Sequence, residues 1–195
     1  MLAAIVLAGG ESRRMGQPKA LLEIRSRTFL ETLLEVTRHP RVGCQRVVVG
    51  AAAEEIRARV SLPCETLVVN PDWRRGQLSS LQAGLRSLPK GTEGAIVCPV
   101  DHPLVSSALV EKLIAAFDFN GGAIVLPVYE GERGHPLIFR ATLYDELLAA
   151  DVEIGARAVV RAHRDATVEV PTDEEGVILN LNDPEKLRRA MGGSS

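Results

Sequence analysis

The chain has 195 residues, of which 46% are hydrophobic, and its formal net charge is −2. We interpret this length as one large domain with a sizeable core rather than two small domains. The slightly acidic balance argues against a global basic field for nucleic acid, so any polyanion must be bound by a local cluster. No apolar stretch approaches the roughly 20 residues that span a bilayer, so no membrane protein is expected.

The cysteines and the N-terminal residues bear on the cellular compartment. Cys44, Cys64 and Cys98 are far apart in the sequence and have no spacing that is typical of metal ligands. We interpret them as reduced thiols, a usage that predicts a cytoplasmic protein. The first apolar run has neither a basic leader nor a cleavage site, so no signal peptide is expected.

The first two dozen residues combine an apolar run, two glycines and a basic cluster. Residues 2–7 are apolar and β-branched enough for a buried strand, which breaks at residues 9–10, Gly-Gly. Ligands of open α/β sheets collect beyond the carboxyl ends of the strands, where glycines leave backbone N–H groups accessible. Because Arg13, Arg14 and Lys19 follow in a slightly acidic chain, this segment predicts a polyanion site. A solvated basic loop is the alternative.

Two common phosphate motifs do not fit this segment. A P-loop has four residues between its glycines and then Lys-Ser/Thr, whereas five residues separate Gly10 from Gly16 and Pro18 precedes Lys19. A dinucleotide fingerprint needs G-x-G-x-x-G and an acidic residue after the second strand, but Gly-Ala-Ala follows the candidate second strand. The expected polyanion must therefore be bound in another way.

Strand and helix patterns alternate along the rest of the chain and predict a doubly wound α/β fold. Thr28 and Glu31 form a capping box for a helix that should end near residues 39–40. Further strands are predicted at residues 46–50, 67–70, 94–99, 123–129, 136–139, 168–170 and 177–180. Further helices are predicted at residues 53–60, 142–150 and 158–162. Another helix should end near residue 88, and two more should begin at residue 106 and near residue 184. The domain should cover residues 1–191, followed by a flexible tail at residues 192–195.

A polar loop at residues 70–81 follows the predicted strand at residues 67–70 and should lie on the same rim as the glycine turn. The amide of Gln77 and the hydroxyls of Ser79 and Ser80 are suited to contacts with the edge of a nucleobase. Capping of the next helix by either serine is the structural alternative. Trp73 could stack on a ligand or pack the loop against the core, and the sequence does not distinguish the two.

Asp101 follows the strand at residues 94–99 and should face the same crevice. Magnesium bound to a triphosphate takes only one or two protein ligands, so this carboxylate is predicted to hold Mg²⁺. The alternative is an Asx turn or a helix cap, for which Ser106 and Ser107 are better placed. His102 is interpreted as an oriented loop residue.

These segments resemble the molybdenum-cofactor nucleotidyltransferases, which couple an NTP to a phosphorylated acceptor. The family signature, Leu-Ala-(Gly/Ala)-Gly followed by Arg-Met-Gly and Lys, is present in residues 7–19. Residues 70–85 and 134–136 are similar to the cytidylyl branch, whereas the second glycine of the turn is similar to the guanylyl branch. The resemblance implies a single Rossmann-like three-layer α/β domain, as in the nucleotide-diphospho-sugar transferases, with a mostly parallel sheet and one antiparallel strand.

Residue roles follow from the pattern and from this resemblance. Arg14, Lys19 and Asp101 are assigned to catalysis. The residues assigned to the nucleotide are Leu7, Ala8, Gly9, Gly10, Arg14, Lys19, Asn70, Gly76, Gln77, Ser79 and Ser80. The resemblance implies that Asn182 joins Asp101 as a metal ligand, and the alternative is that Asp183 or Asn182 caps the last helix. It also implies that His102 and His135 contact the acceptor. For His135, an exposed position in a simple hairpin is the alternative.

The expected reaction is Mg²⁺-dependent transfer of NMP from an NTP to a terminal phosphate, that of molybdopterin, with release of pyrophosphate. CTP is favoured over GTP, because polar groups near Gln77 should discriminate bases more strongly than the space beside Gly10. The alternatives are a GTP-dependent guanylyltransferase, a sugar-phosphate nucleotidyltransferase and a non-catalytic nucleotide-binding or cofactor-delivery module. The resemblance also implies a transient contact with a molybdoenzyme or its chaperone.

Overall fold

The computed structural model describes residues 1–192, apart from the side chain of Arg13. Residues 193–195, which are most of the predicted tail, lie outside the described residues. The strands are β1 (Leu2–Ala8), β2 (Glu23–Ile24), β3 (Arg27–Thr28), β4 (Val42–Val49), β5 (Leu67–Val69), β6 (Gly94–Pro99), β7 (Ile124–Tyr129), β8 (Glu132–Arg133), β9 (Leu137–Arg140) and β10 (Thr167–Pro171). The helices are α1 (Phe29–Val36), α2 (Ala53–Arg59), α3 (Gln77–Arg86), α4 (Ser107–Asn120), α5 (Tyr144–Ala149), α6 (Arg157–Ala162) and α7 (Pro184–Ala190). None of these described helices is both long enough and apolar enough to cross a membrane.

The main sheet has eight strands in the order β10-β7-β9-β6-β1-β4-β5, with β8 paired to β7. Strands β1, β4, β5 and β6 pair in parallel, and so do β7 and β10. Strand β9 is antiparallel to both β6 and β7, and the short β8 is antiparallel to β7. The predicted single α/β domain with a mostly parallel sheet is confirmed, with β8 as a second antiparallel strand.

Strand β1 is at the centre of the domain and is buried along its whole length. Leu2, Ala4 and Val6 pack in one core layer with α1, α2 and α4, whereas Ile5 and Leu7 pack in the other with α3, α5 and α6. Successive side chains of a strand point to opposite faces, so a strand covered on both faces must be apolar throughout. The glycine turn that follows β1 therefore lies at the rim between the two helical layers.

Side chains fix the starts of three helices. Thr28 and Glu31 form the predicted capping box at α1, and the hydroxyl of Ser106 accepts from the N–H of Leu109 at 3.0 Å to cap α4. At α7 the carboxylate of Asp183 accepts from the N–H of Lys186 at 2.9 Å. Helix α3 differs, because it starts after Gly76 and no side chain caps it. The alternative that Ser79 or Ser80 caps this helix is therefore wrong.

Two predicted strands differ from the structure. Strand β4 begins at Val42, because Leu2 of β1 pairs with that residue in parallel register. The strand predicted at residues 177–180 is absent from the described residues, which form a 3₁₀ turn at Glu175–Val177 and then irregular chain. The backbone groups of this segment bond to loops instead: the Val177 carbonyl accepts from the N–H of His135 at 2.8 Å. A hydrophobic run can thus be buried by loops that surround it.

Candidate active site

A cavity of about 260 Å³ lies at the carboxyl ends of β1 and β6. Its walls include many of the residues predicted to bind the nucleotide and the metal, namely Leu7, Ala8, Gly9, Gly10, Lys19, Gly76, Gln77, Ser80 and Asp101. Ser12, Pro18, Ala20, Trp73, Pro99 and Val100 complete the lining. The three loops that follow β1, β5 and β6 therefore meet at one site, as the doubly wound topology requires.

Lys19 and Asp101 form an ion pair across this cavity, with 2.9 Å between Nζ and Oδ2. The two side chains are 20% and 22% exposed, so they remain accessible to a ligand in the cavity. The backbone of Lys19 is held by its N–H, which donates to the hydroxyl of Ser12 at 3.0 Å. A cation and a carboxylate in contact at the end of a glycine turn can bind a phosphate and a divalent cation, respectively.

Arg14 is exposed and is not part of the cavity lining. It lies in a 3₁₀ turn, Arg13–Met15, whose two flanking residues, Ser12 and Gly16, have left-handed backbone conformations. The loop that carries Arg14 thus turns away from the cavity after Ser12 and returns at Pro18. Of the two basic residues assigned to catalysis, Lys19 is the one that the structure brings to the cavity.

Asn70 organises the loop that precedes α3. This side chain is 3% exposed, and its amide nitrogen donates to the hydroxyls of Ser79 and Ser80 at 3.0 and 3.1 Å. Its oxygen accepts from the N–H of Asp72 at 3.0 Å. The Ser79 hydroxyl also lies 2.8 Å from the carbonyl of Gly76, whose φ of +102° favours glycine. Asn70 and Ser79, both predicted to bind the nucleotide, therefore shape the loop and lie behind the cavity wall.

Trp73 packs against the end of β4 and also lines the cavity. A β-carbon on Gly50 would lie 2.5 Å from both the carbonyl oxygen of Gly9 and Cγ of Trp73, so a glycine is required where these segments cross. The guanidinium of Arg74 covers the indole ring at 4.3 Å. Trp73 therefore packs its loop against the residue that follows β4 and also lines the cavity, whereas its stacking on a ligand stays a prediction.

The Asn-Leu-Asn segment before α7 reaches the metal-site candidate. The N–H of Leu181 donates to the carbonyl of Asp101 at 2.7 Å, which brings the following residue, Asn182, beside the Asp101 loop. Asn180 accepts from Lys186 at 2.9 Å, and Asp183 caps α7, so both neighbouring polar side chains already have partners. Among the described residues, no cluster of three His, Cys, Asp or Glu side chains could hold a metal by itself. A cation beside Asp101 would therefore need ligands from the nucleotide.

His102 and His135 contact each other behind Asp101, with their ring centroids 4.9 Å apart. The Nδ1 atoms of both rings are buried and have no hydrogen-bond partner in the described part of the chain. Burial lowers the pKa of His102, and burial lowers the pKa of His135 to about 4. Both rings are therefore neutral at pH 7. His135, assigned to the acceptor together with His102, lines a second cavity that adjoins the first.

The lowered pKa of His135 predicts a pH dependence of stability. In the unfolded chain its pKa should be about 6.5, whereas in the folded protein it is about 4. Between these values the unfolded state binds more protons, so the free energy of unfolding should fall as the pH falls from about 6.5 to about 4. His135→Gln should flatten this slope in thermal denaturation, with His39→Gln as the control. An unchanged slope in His135→Gln would contradict the lowered pKa of His135 in the folded protein.

The chain matches the family model described as MobA-like NTP transferase domain over residues 4–167. It is 34% identical to the molybdenum cofactor guanylyltransferase of Rhizobium meliloti, over 96% of this chain and 89% of that protein. It is also 32% identical to the nicotine blue oxidoreductase of Paenarthrobacter nicotinovorans, over 82% of this chain and 81% of that protein.

Solved structures show the same architecture. Rv0371c from Mycobacterium tuberculosis H37Rv superimposes with a TM-score of 0.84 at 29% identity, covering 98% of this chain and 97% of that chain. A complex of Rv0371c with manganese has a TM-score of 0.80 at 26% identity and covers 99% of each chain. With the family match and the shared fold, the resemblance inferred from the N-terminal segment is confirmed, and the chain belongs to the MobA-like NTP transferase family.

Proposed function

We propose that this protein is a divalent-metal-dependent nucleotidyltransferase that moves GMP from GTP to the terminal phosphate of molybdopterin and releases pyrophosphate. One observation carries the proposal: the glycine turn, the Lys19 ammonium and the Asp101 carboxylate line one cavity at the carboxyl end of the sheet. Relatives named molybdenum cofactor guanylyltransferase support both the acceptor and the base.

The triphosphate would bind between the glycine turn and Lys19. A β-carbon on Gly9 would lie 2.8 Å from the Ser80 hydroxyl, so the turn fits tightly against α3 and presents bare backbone to the cavity. Backbone N–H groups and an ammonium group both stabilise phosphate oxygens, and the negative charge on those oxygens grows as the leaving group departs. Lys19 would exchange its bond to Asp101 for one to the phosphate.

Asp101 is the residue that would hold the divalent cation, with Asn182 as a second ligand. The donor set fits Mg²⁺, which prefers oxygen ligands and commonly takes one or two carboxylates together with substrate phosphates. The manganese complex of Rv0371c supports a divalent cation in this fold. When bound, such a cation neutralises phosphate charge and orients the triphosphate.

The reaction needs no strong general base. The second pKa of a phosphate monoester is about 6, so the acceptor phosphate is largely dianionic at neutral pH. One of its oxygens would attack the α-phosphorus and form a new P–O bond, while the bond from the α-phosphorus to the bridging oxygen breaks and pyrophosphate leaves with the electron pair. The protein would contribute in-line positioning and charge neutralisation. Neutral His102 and His135 are consistent with this division of roles.

GTP is proposed in place of the CTP that the polar loop favours in the sequence. Asn70 and Ser79 bond within their own loop, which leaves fewer polar groups to discriminate between bases. A β-carbon on Gly10 would meet no atom within 4 Å, so space remains at this wall for the larger purine. CTP is the second candidate, because Gln77 and Ser80 do line the cavity.

Gly10→Ala tests the choice of base. The added methyl contacts nothing in the protein, so folding and the melting temperature without nucleotide should be unchanged. We expect the variant to bind GTP about 10-fold more weakly, since a methyl-sized change in a pocket is worth about 1–3 kcal/mol, and to bind CTP with little change. Calorimetric titration of both nucleotides with Mg²⁺ measures this. Tighter binding of CTP than GTP by the wild-type protein would support the cytidylyl alternative.

A further inference from the structure

His102 directly follows Asp101 but is absent from the walls of both cavities at the rim of the sheet. The N–H of His102 donates to the carbonyl of Pro99 at 3.1 Å and closes the turn in which Asp101 lies. The carbonyl of Asp101 accepts from the N–H of Leu181 at 2.7 Å, so a second hydrogen bond holds this turn. His102 therefore shares a fixed turn with the candidate metal ligand, but its side chain does not border the space proposed for the nucleotide and the acceptor.

The ring of His102 packs on the ring of His135. The two ring centroids are 4.9 Å apart and the planes are inclined by 55°, an arrangement typical of packed aromatic pairs. The Nδ1 atoms of both rings are buried and have no hydrogen-bond partner within residues 1–192. The contact between the two rings therefore depends on their shape rather than on a hydrogen bond between them.

Two glycines allow the loops around this ring pair to approach each other closely. A β-carbon on Gly134 would lie 2.6 Å from the carbonyl oxygen of Val177, and one on Gly176 would lie 2.1 Å from the carbonyl oxygen of Leu104. The N–H of His135 also donates to the Val177 carbonyl at 2.8 Å. The backbone around the ring pair is therefore fixed by close contacts, so that loss of one ring would leave a gap beside the turn that carries the candidate metal ligand.

We propose that His102 is a positioning residue: packed on His135, its ring fixes the turn so that the carboxylate of Asp101 stays directed into the cavity and can hold the divalent cation. This inference rests on the proposed function. A metal ligand must be held within about 0.5 Å of its place by neighbours whose own side chains are locked by packing. His102 acts through Asp101 and needs no contact with the nucleotide or the acceptor.

Binding of Mn²⁺ in the presence of GTP tests the proposal without turnover. Electron paramagnetic resonance measures free Mn²⁺ and, with the protein in excess over GTP, gives the affinity of the cation for the protein–GTP complex. We expect His102→Ala to weaken Mn²⁺ binding about 10-fold, the lower end of the range for residues that orient metal ligands. GTP affinity in the presence of a chelator should be unchanged. His163→Ala, at the residue after α6 and outside both cavity walls, is the control and should behave as wild type.

Replacement by another ring separates shape from polarity. His102→Phe keeps a ring against His135, so it should retain most of the Mn²⁺ affinity that His102→Ala loses. Equal losses in His102→Phe and His102→Ala would overturn the proposal, and so would wild-type Mn²⁺ affinity in folded His102→Ala. Wild-type protein that binds no Mn²⁺ with GTP would overturn it as well. Melting curves establish that each variant is folded, and His135→Ala serves the same comparison if His102→Ala does not fold.

A double-mutant cycle tests whether the two rings act as one unit. His135→Ala should weaken Mn²⁺ binding by the same factor as His102→Ala, and the double variant should be no weaker than either, because each substitution removes the same ring contact. Losses that multiply to about 100-fold would mean that the two rings act independently, and the proposal would be wrong. If Mn²⁺ binding depends on His102 as expected but the wild-type protein transfers no nucleotide, the proposed function fails while the positioning role stands.

Discussion

We expect Lys19→Ala to lower kcat/KM by about 10²–10³-fold, the range found when one preorganised donor to a developing oxyanion is removed. The Lys19 ammonium lies on the wall of the cavity at the carboxyl ends of β1 and β6, 2.9 Å from Asp101. Without it, charge that develops on the phosphate oxygens during transfer loses its point-charge partner. The measurement is steady-state transfer of GMP to molybdopterin at saturating Mg²⁺.

The same substitution should have little effect on folding. The Lys19–Asp101 pair is partly exposed, and ion pairs of that kind contribute at most about 1 kcal/mol to the free energy of unfolding. Lys90→Ala, at an exposed turn residue, is the control and should change neither activity nor stability. Arg14→Ala should reduce activity much less than Lys19→Ala, because Arg14 lies outside the cavity lining. A Lys19→Ala protein that unfolds, but whose folded fraction keeps full specific activity, would show that the loop is structural.

The second large effect is expected for Asp101→Asn. The amide keeps the size of the side chain but loses the charge that holds a hard cation beside a triphosphate. We expect the Mg²⁺ concentration for half-maximal activity to rise by at least about 10–100-fold, since even outer-sphere substitutions have effects of that size. Titration of Mg²⁺ in the transfer assay measures this shift, with Asp165→Asn, at an exposed residue, as the control.

Nucleotide binding without metal distinguishes phosphate binding by Lys19 from cation binding by Asp101. In Asp101→Asn, Lys19 no longer has a carboxylate partner, so GTP binding in the presence of a chelator should be unchanged or tighter. Only the part of the affinity that depends on Mg²⁺ should disappear. An unchanged Mg²⁺ requirement for turnover would exclude Asp101 as a ligand and leave it as a partner for Lys19 alone.

Most strands of the sheet, and the residues at its carboxyl edge, could be predicted from the sequence, because they depend on local pattern and chain direction. The apolar run that ends at Gly9 and Gly10 predicts a buried strand that opens onto a rim, and a carboxylate after another parallel strand of the sheet is expected at the same rim. The caps of α1, α4 and α7 were equally readable, since each joins a side chain to a backbone group three residues away.

The partners of polar groups in segments that are distant in sequence could not be predicted and are seen only in the folded protein. Asn70 and Ser79 were predicted to bind the base, but in the structure they bond to each other. Residues 177–180 were predicted as a strand, but the Val177 carbonyl accepts from the N–H of His135 instead of from a neighbouring strand. Hydrogen bonds and ion pairs between distant segments depend on which groups the fold brings together, so local sequence patterns do not predict these partners.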